Sequence, residues 1–341
     1  MAFYRGDSIH LFPILMMKHF LKTLLLFLVP CIVMVLVYVV DDPFRLYWSD
    51  ENLYEQGNRK RCINDAARGI RWLDKYGDTM PYNSFILGSS RSDFYYVEDW
   101  KQYLSPDASC FHFNQSGDNL LGTLQRVRYL YKRFEKINNI LIIMDSEYLA
   151  DMNPHRGHLF REPWQVTDEW DFLAFNADFF RAFYSIEYQK QMWRESNAEN
   201  ELDCFYISQY NELHKIGAEE ALISNPEEYY ARLPLDYQLY DRDENEHLET
   251  PVIGEPQIAA LNELHNILQN GGTDYRIIIS PLYNQKKLNP IDLEFLENLF
   301  GKEKVFDFSG KNVFTDNLDN YYECSHYRPQ LCRQLLKICY D

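Results

Sequence analysis

The stretch Phe85-Ile86-Leu87-Gly88-Ser89-Ser90-Arg91-Ser92 pairs a structural pattern with reactive groups. An apolar run of strand formers breaks at a glycine and delivers two serines, followed by Asp93 and a polar-aromatic segment. This is the pattern of a buried strand that closes in a tight turn and holds a hydroxyl at a sheet edge. A serine hydroxyl is a poor nucleophile until a base takes its proton, so the reading requires a histidine oriented by a carboxylate. The segment Tyr322-Glu323-Cys324-Ser325-His326-Tyr327-Arg328-Pro329 offers both. Ser90, His326 and Glu323 are therefore the candidate catalytic set. Ser89 and Arg91 flank the nucleophile, and Arg91 suits either an anionic substrate or a solvated surface.

Such a set needs a scaffold that brings distant segments to one edge. Five short apolar runs supply it: Ser84 to Leu87, Cys110 to Phe113, Asn139 to Met144, Tyr275 to Ile279 and Val305 to Phe308. Continuous apolar runs with helices between them predict parallel strands covered on both faces. Leu120 to Lys136 and Pro256 to Asn270 fit crossover helices, the second stopped by Gly271-Gly272. The expected fold is an α/β/α three-layer sandwich around a mostly parallel five-stranded sheet. In such a sheet the loops after the strands emerge at one edge, so the serine turn, Asn114-Gln115-Ser116-Gly117 and the Glu-x-x-His converge. From about residue 150 to 254 the strand rhythm lapses into Trp, Tyr, Phe and acidic residues. This reads as a helical insertion over the sheet, with one helix over Phe179 to Arg194.

From Thr23 to Val40 the chain carries no charge, near the ~20 residues that cross a bilayer core. Apolar residues Leu11 to Met17 precede the run, and Pro30 within it is tolerable in a membrane helix. Arg5, Lys18 and Lys22 lie before it and Asp41 and Asp42 after it, which predicts a cytoplasmic N-terminus and an extracytoplasmic body. Asp-Asp-Pro in place of a small-residue cleavage site favours an uncleaved anchor over a signal peptide. Residues 1–42 are then anchor, 43–80 a connection with a helix around Ile63 to Tyr76, and 81–341 the α/β domain with its insertion. The net charge of -17 argues against nucleic acid as a partner. Aromatics at 16% suit sugar rings as well as a core. The seven cysteines contain no C-x-x-C and predict no metal site; outside the cytoplasm the six other than Cys31 are available for disulfides.

The strand-Gly-Ser-Ser, the Asn-Gln-Ser-Gly loop and the C-terminal Glu-x-x-His resemble the blocks of the SGNH (GDSL-like) hydrolase superfamily. The anchor and the G-S-S variant resemble its membrane-anchored branch, which includes DltD of teichoic-acid D-alanylation and the alginate O-acetylation proteins. The resemblance covers roughly residues 80–150 and 255–341 with the anchor. It implies Ser90 as nucleophile, His326 as base, Glu323 in place of the usual aspartate, and the Gly117 N–H as an oxyanion donor. The third strand ends in Asp145-Ser146-Glu147 where the family carries an asparagine, and Asn119 is the nearest stand-in. The implied activity is O-acyl transfer to a cell-envelope or secreted glycan, with a membrane-bound O-acyltransferase as partner and no cofactor. An esterase or a silent scaffold of the same fold are the alternatives.

Two further clusters read as surface. Asp151, His155, Arg156 and His158 match no ligand spacing and predict a solvated loop. The run beginning at Asp241 resembles a calcium loop but has Glu246 at the glycine position.

Overall fold

Ile140, Ile142 and Met144 join one buried apolar cluster while Leu141 and Ile143, between them in sequence, join another. A strand alternates its side chains, so this strand is apolar on both faces and needs cover on both. The computed structural model of the protein describes residues 11–48, 58–59, 63–197, 204–243 and 245–341. The predicted runs form β1 (Ser84–Gly88), β2 (Cys110–His112), β3 (Asn139–Met144), β4 (Asp274–Ile279) and β5 (Val305–Asp307). They pair in parallel in the order β2-β1-β3-β4-β5. The order reverses between β1 and β3, the place where a doubly wound sheet opens a crevice at its carboxyl edge. The α/β class and the parallel five-stranded sheet are as expected.

The helices are α1 (Leu11–Asp41), α2 (Asp65–Tyr76), α3 (Val97–Lys101), α4 (Leu120–Arg133), α5 (Ser146–Ala150), α6 (Phe172–Phe183) and α7 (Ile186–Asn197). After them come α8 (Ile216–Ser224), α9 (Pro226–Ala231), α10 (Glu255–Gly271), α11 (Pro290–Phe300), α12 (Val313–Asp316) and α13 (Pro329–Tyr340). Leucine and isoleucine faces of α2, α4, α10 and α11 cover one side of the sheet. The other side is covered by α3, α8, α9 and α13, with Trp100, Leu331, Leu335 and Leu336 in the cluster. Two expected crossovers are present. The first ends early, at Arg133, because Phe134 turns extended; the second is stopped by Gly272 at φ 63°.

The insertion is not purely helical. Cys204–Ile207 pairs antiparallel with Leu213–His214, and on its other edge with Asn58–Arg59. The single helix expected over Phe179 to Arg194 is two. The Ser185 hydroxyl accepts from the Tyr188 N–H at 3.2 Å and so caps a new helix.

α1 contains one segment, Met16–Asp41, long and apolar enough to cross a membrane or act as a signal sequence, with mean hydropathy 2.9 over an 18-residue stretch of it. It extends the expected run toward the N-terminus, and Arg5 lies outside the described residues. Its C-terminal end meets the body: Tyr38 is buried with Phe44, Phe175, Phe179 and Tyr188. Cys110, Cys324, Cys332 and Cys339 are all free, which corrects the expectation that these could pair as disulfides; Cys62 lies outside the described residues.

Candidate active site

Gly88 ends β1 with φ 153°, and a Cβ there would sit 2.9 Å from the Ile143 carbonyl oxygen. A side chain is excluded by that contact, so the chain can turn sharply beside β3. A 3-10 turn, Ser90–Ser92, follows at once. The Ser89 hydroxyl accepts from the Arg91 N–H at 3.3 Å, and the Ser92 hydroxyl donates to the Ser89 carbonyl at 2.7 Å. His112, at the end of β2, touches the Ser92 hydroxyl at 3.1 Å. Burial drives its pKa down to about 3, so it is a neutral brace under the turn. Ser90 is left pointing outward.

The histidine and glutamate arrive on a hairpin. Tyr321–Glu323 pairs antiparallel with His326–Tyr327, and Cys324-Ser325 form its two-residue turn, so Glu323 and His326 stand opposite each other. This is why a three-residue spacing, without any helix, brings the two side chains together. Glu323 hydrogen-bonds His326 Nδ1 through one oxygen and accepts from the Ser325 N–H at 2.6 Å through the other. His326 Nε2 lies 2.8 Å from Ser90 Oγ. Burial raises the Glu323 carboxyl, but its hydrogen bond to His326, their charge attraction and the Ser325 N–H outweigh this, and it lies below its usual value. Burial holds the imidazole below its own usual value despite Glu323. An ionised carboxylate on Nδ1 puts the proton there and leaves Nε2 to accept from the serine. The three residues expected from opposite ends of the chain therefore meet.

Gly117 follows β2 at φ 66°, where a Cβ would come within 3.1 Å of the Phe160 ring. It lines two cavities, each of which also includes Ser90, His326 and Tyr237. One, of about 310 Å3, adds Ser89, Arg91, Asn119, Asp145, Glu147, Asp151, His155 and Ser325. The other, of about 360 Å3, has a wall of Leu159, Phe160, Phe205, Ile207 and Leu213, with Lys215 and Arg68 at its polar parts. Ser90 and His326 thus stand on the partition between a polar, acidic space and a partly apolar one.

Two expectations change. Arg91 lines the first cavity and is not simply solvated: it pairs with Asp145 at 2.5 Å and Glu147 at 2.7 Å. Burial disfavours its charge, but these two carboxylates more than restore it. Asn119 borders the first cavity, yet its side chain caps α4 through the Gly122 N–H and donates to the Asn153 carbonyl. Asp145 stands after β3 and caps α5 through the Tyr148 N–H at 3.0 Å. The loop expected to be solvated is also tied down. The His158 ring packs on Phe44 and Phe179, and the Asn64 amide donates to the carbonyls of His158 and Arg161. The acidic run is surface as expected: the exposed Asp243 accepts from the Asn245 N–H and meets His247, while Glu244 lies outside the described residues.

The sequence reading missed several residues. Tyr237, Phe160, Ile207 and Lys215 come from the insertion, whose position over the site was expected but whose contributing side chains carry no local signal. Behind Gly117, Arg126 is fully buried between Asp118 and Glu162 and takes a further hydrogen bond from its Nη2 to Thr123 Oγ1 at 3.0 Å. Burial pushes the Glu162 carboxyl up to about 7. Asp65 also accepts from the Ser116 N–H at 3.3 Å and from its hydroxyl. The glycine loop is fixed from two sides. No cluster of histidine, cysteine and acidic residues among the described residues could hold a metal ion.

A scan against protein-family models finds none that matches this chain, and a search of the curated proteins finds no match either.

Proposed function

We propose that the protein is a membrane-anchored, extracytoplasmic serine acyltransferase of the SGNH-hydrolase type. It moves an acetyl or similar acyl group through an acyl-Ser90 intermediate onto a hydroxyl of a cell-envelope or secreted glycan. The observation that carries this reading is the chain of contacts from Ser90 Oγ to His326 to Glu323. The two covered sheet faces are in keeping with the α/β/α sandwich of that superfamily. A membrane-bound O-acyltransferase is the partner the resemblance suggests.

In this mechanism Ser90 Oγ attacks the donor carbonyl while His326 Nε2 takes its proton. The Ser90 and Gly117 N–H groups hold the oxyanion. Collapse breaks the donor ester, the leaving alcohol takes the proton from His326, and the acyl group remains on Ser90. An acceptor hydroxyl then gives its proton to His326, attacks the acyl-enzyme and releases Ser90. Asp145 is engaged with Arg91, so the oxyanion relies on backbone donors without the family's asparagine. Arg91 in the polar cavity faces Asp145, Glu147 and Asp151, which favours a neutral, hydroxyl-bearing acceptor over an anionic one. With water as acceptor the same set is an esterase.

The test is active-site trapping of the full-length protein with a serine-directed fluorophosphonate, followed by peptide mapping. The expected adduct is on Ser90, absent in Ser90→Ala and slowed at least ~100-fold in His326→Ala, in keeping with the weight of a positioned general base. Untreated protein is then given an acyl ester with and without an oligosaccharide, with the trapped protein as the inactive control. Acyl transfer to the sugar supports the transferase, and release to water at the same rate in both supports the esterase. A folded protein in its native membrane that takes no adduct refutes both.

A further inference from the structure

We propose that the hairpin of α6 and α7 is embedded in the bilayer interface beside α1, so that the body contacts lipid through a second element. This rests on α1 crossing the membrane and not on the chemistry at Ser90. The charge-free run Thr23–Val40 rises about 27 Å at ~1.5 Å per residue, close to the ~30 Å of a hydrocarbon core. Lys22 and Asp41 therefore mark its two boundaries.

α6 descends along α1 toward that core. The Tyr47 hydroxyl, beyond the end of α1, donates to Asn176 at 2.7 Å. One turn on, the Phe180 ring packs against Tyr38 at 5.6 Å, and Phe183 packs at 5.7 Å. At the far end the Tyr184 hydroxyl donates to the Met34 carbonyl at 2.7 Å. Met34 precedes Asp41 by about 10 Å of helix rise. The α6–α7 turn therefore reaches as deep below the boundary as interfacial helices sit, ~5–10 Å.

The hairpin's outer residues fit that position. Ile186, the first residue of α7, is 67% exposed; Leu173 and Trp170, which precede Asn176 on the water side of the boundary, are 77% and 91% exposed. At the depth of the turn a side chain such as Ile186 is covered by acyl chains, while tryptophan is favoured at the headgroup level outside the core. Arg181, 78% exposed, has a stem long enough to carry its charge back to the headgroups. Glu187 and Lys190, further along α7, are exposed as well.

The test uses full-length protein in phosphatidylcholine vesicles whose acyl chains are brominated close to the headgroup, since bromine quenches tryptophan on contact. Tryptophan is added singly as Ile186→Trp, Val40→Trp on α1 and Val313→Trp on α12. All three sites are at least 67% exposed and tolerate the change. The quenching added by Ile186→Trp is expected to reach at least half that added by Val40→Trp, with none added by Val313→Trp. Quenching at Val40→Trp with none at Ile186→Trp means that water or a protein partner covers the hairpin, and overturns the proposal. Absence of quenching at both overturns it together with the membrane crossing of α1.

Discussion

His326 can take a proton from Ser90 only as a neutral imidazole, and burial keeps its pKa below 6.5. The base form exists above that pKa, so fluorophosphonate labelling is expected to be level near pH 7 and to fall on the acid side of pH 6.5. A midpoint above 6.5 would contradict the burial argument. The same depression costs stability as pH falls from 6.5 toward the folded value, because the unfolded chain takes up the proton first. Glu323→Gln removes the charge that fixes the Nδ1 proton. Labelling is expected to slow by about 10²–10⁴, with part of the rate kept in Glu323→Asp. At this scale the sequence was informative because each reactive group sits in its own short turn: Ser90 after Gly88, and Glu323 facing His326 across Cys324-Ser325. The ion pairs of Arg91 were not legible because its partners, Asp145 and Glu147, follow a different strand. Nothing local says that β3 lies next to β1.

Among the elements, the strands were legible to within a residue or two because each is a continuous apolar run closed by polar residues, as in Asn139–Met144. The α6–α7 break was not legible. Phe179 to Arg194 keeps a helical pattern across it, and only the hydroxyl of Ser185 chooses a cap over continuation. Arg126 was invisible for another reason. A lone arginine on an amphipathic helix reads as a solvated face, and its partners Asp118 and Glu162 are brought to it by the fold. Arg126→Ala leaves two carboxylates buried without their cation and is expected to cost about 3–5 kcal/mol. Urea unfolding measures it. Combining Arg126→Met with Asp118→Asn and Glu162→Gln removes the stranded charge and is expected to recover much of the loss. If Arg126→Ala is neutral, the triad does not hold the Gly117 loop.

At the scale of the whole molecule, the long apolar helix and the α/β body were both readable, but their junction was not. It depends on aromatic residues far apart in the chain, Tyr38 and Phe44 with Phe175, Phe179 and Tyr188. The antiparallel strands of the insertion draw on Asn58–Arg59, which no pattern in the insertion announces. One short loop now acquires a further meaning. Within residues 158–161, His158 rests on the junction, Phe160 lies over Gly117, and Arg161 pairs with Asp178 of α6 at 2.7 Å. The Gln115 amide also donates to the Leu159 carbonyl at 2.9 Å. The candidate cleft is therefore not hung on a slack leash; on the proposed reading of α1 as an anchor, it is held at a set altitude above the lipid. For the anchored transferase proposed above, a polymer acceptor has to come to that altitude to be modified, so distance from the membrane, as much as sugar identity, would select which hydroxyls are reached.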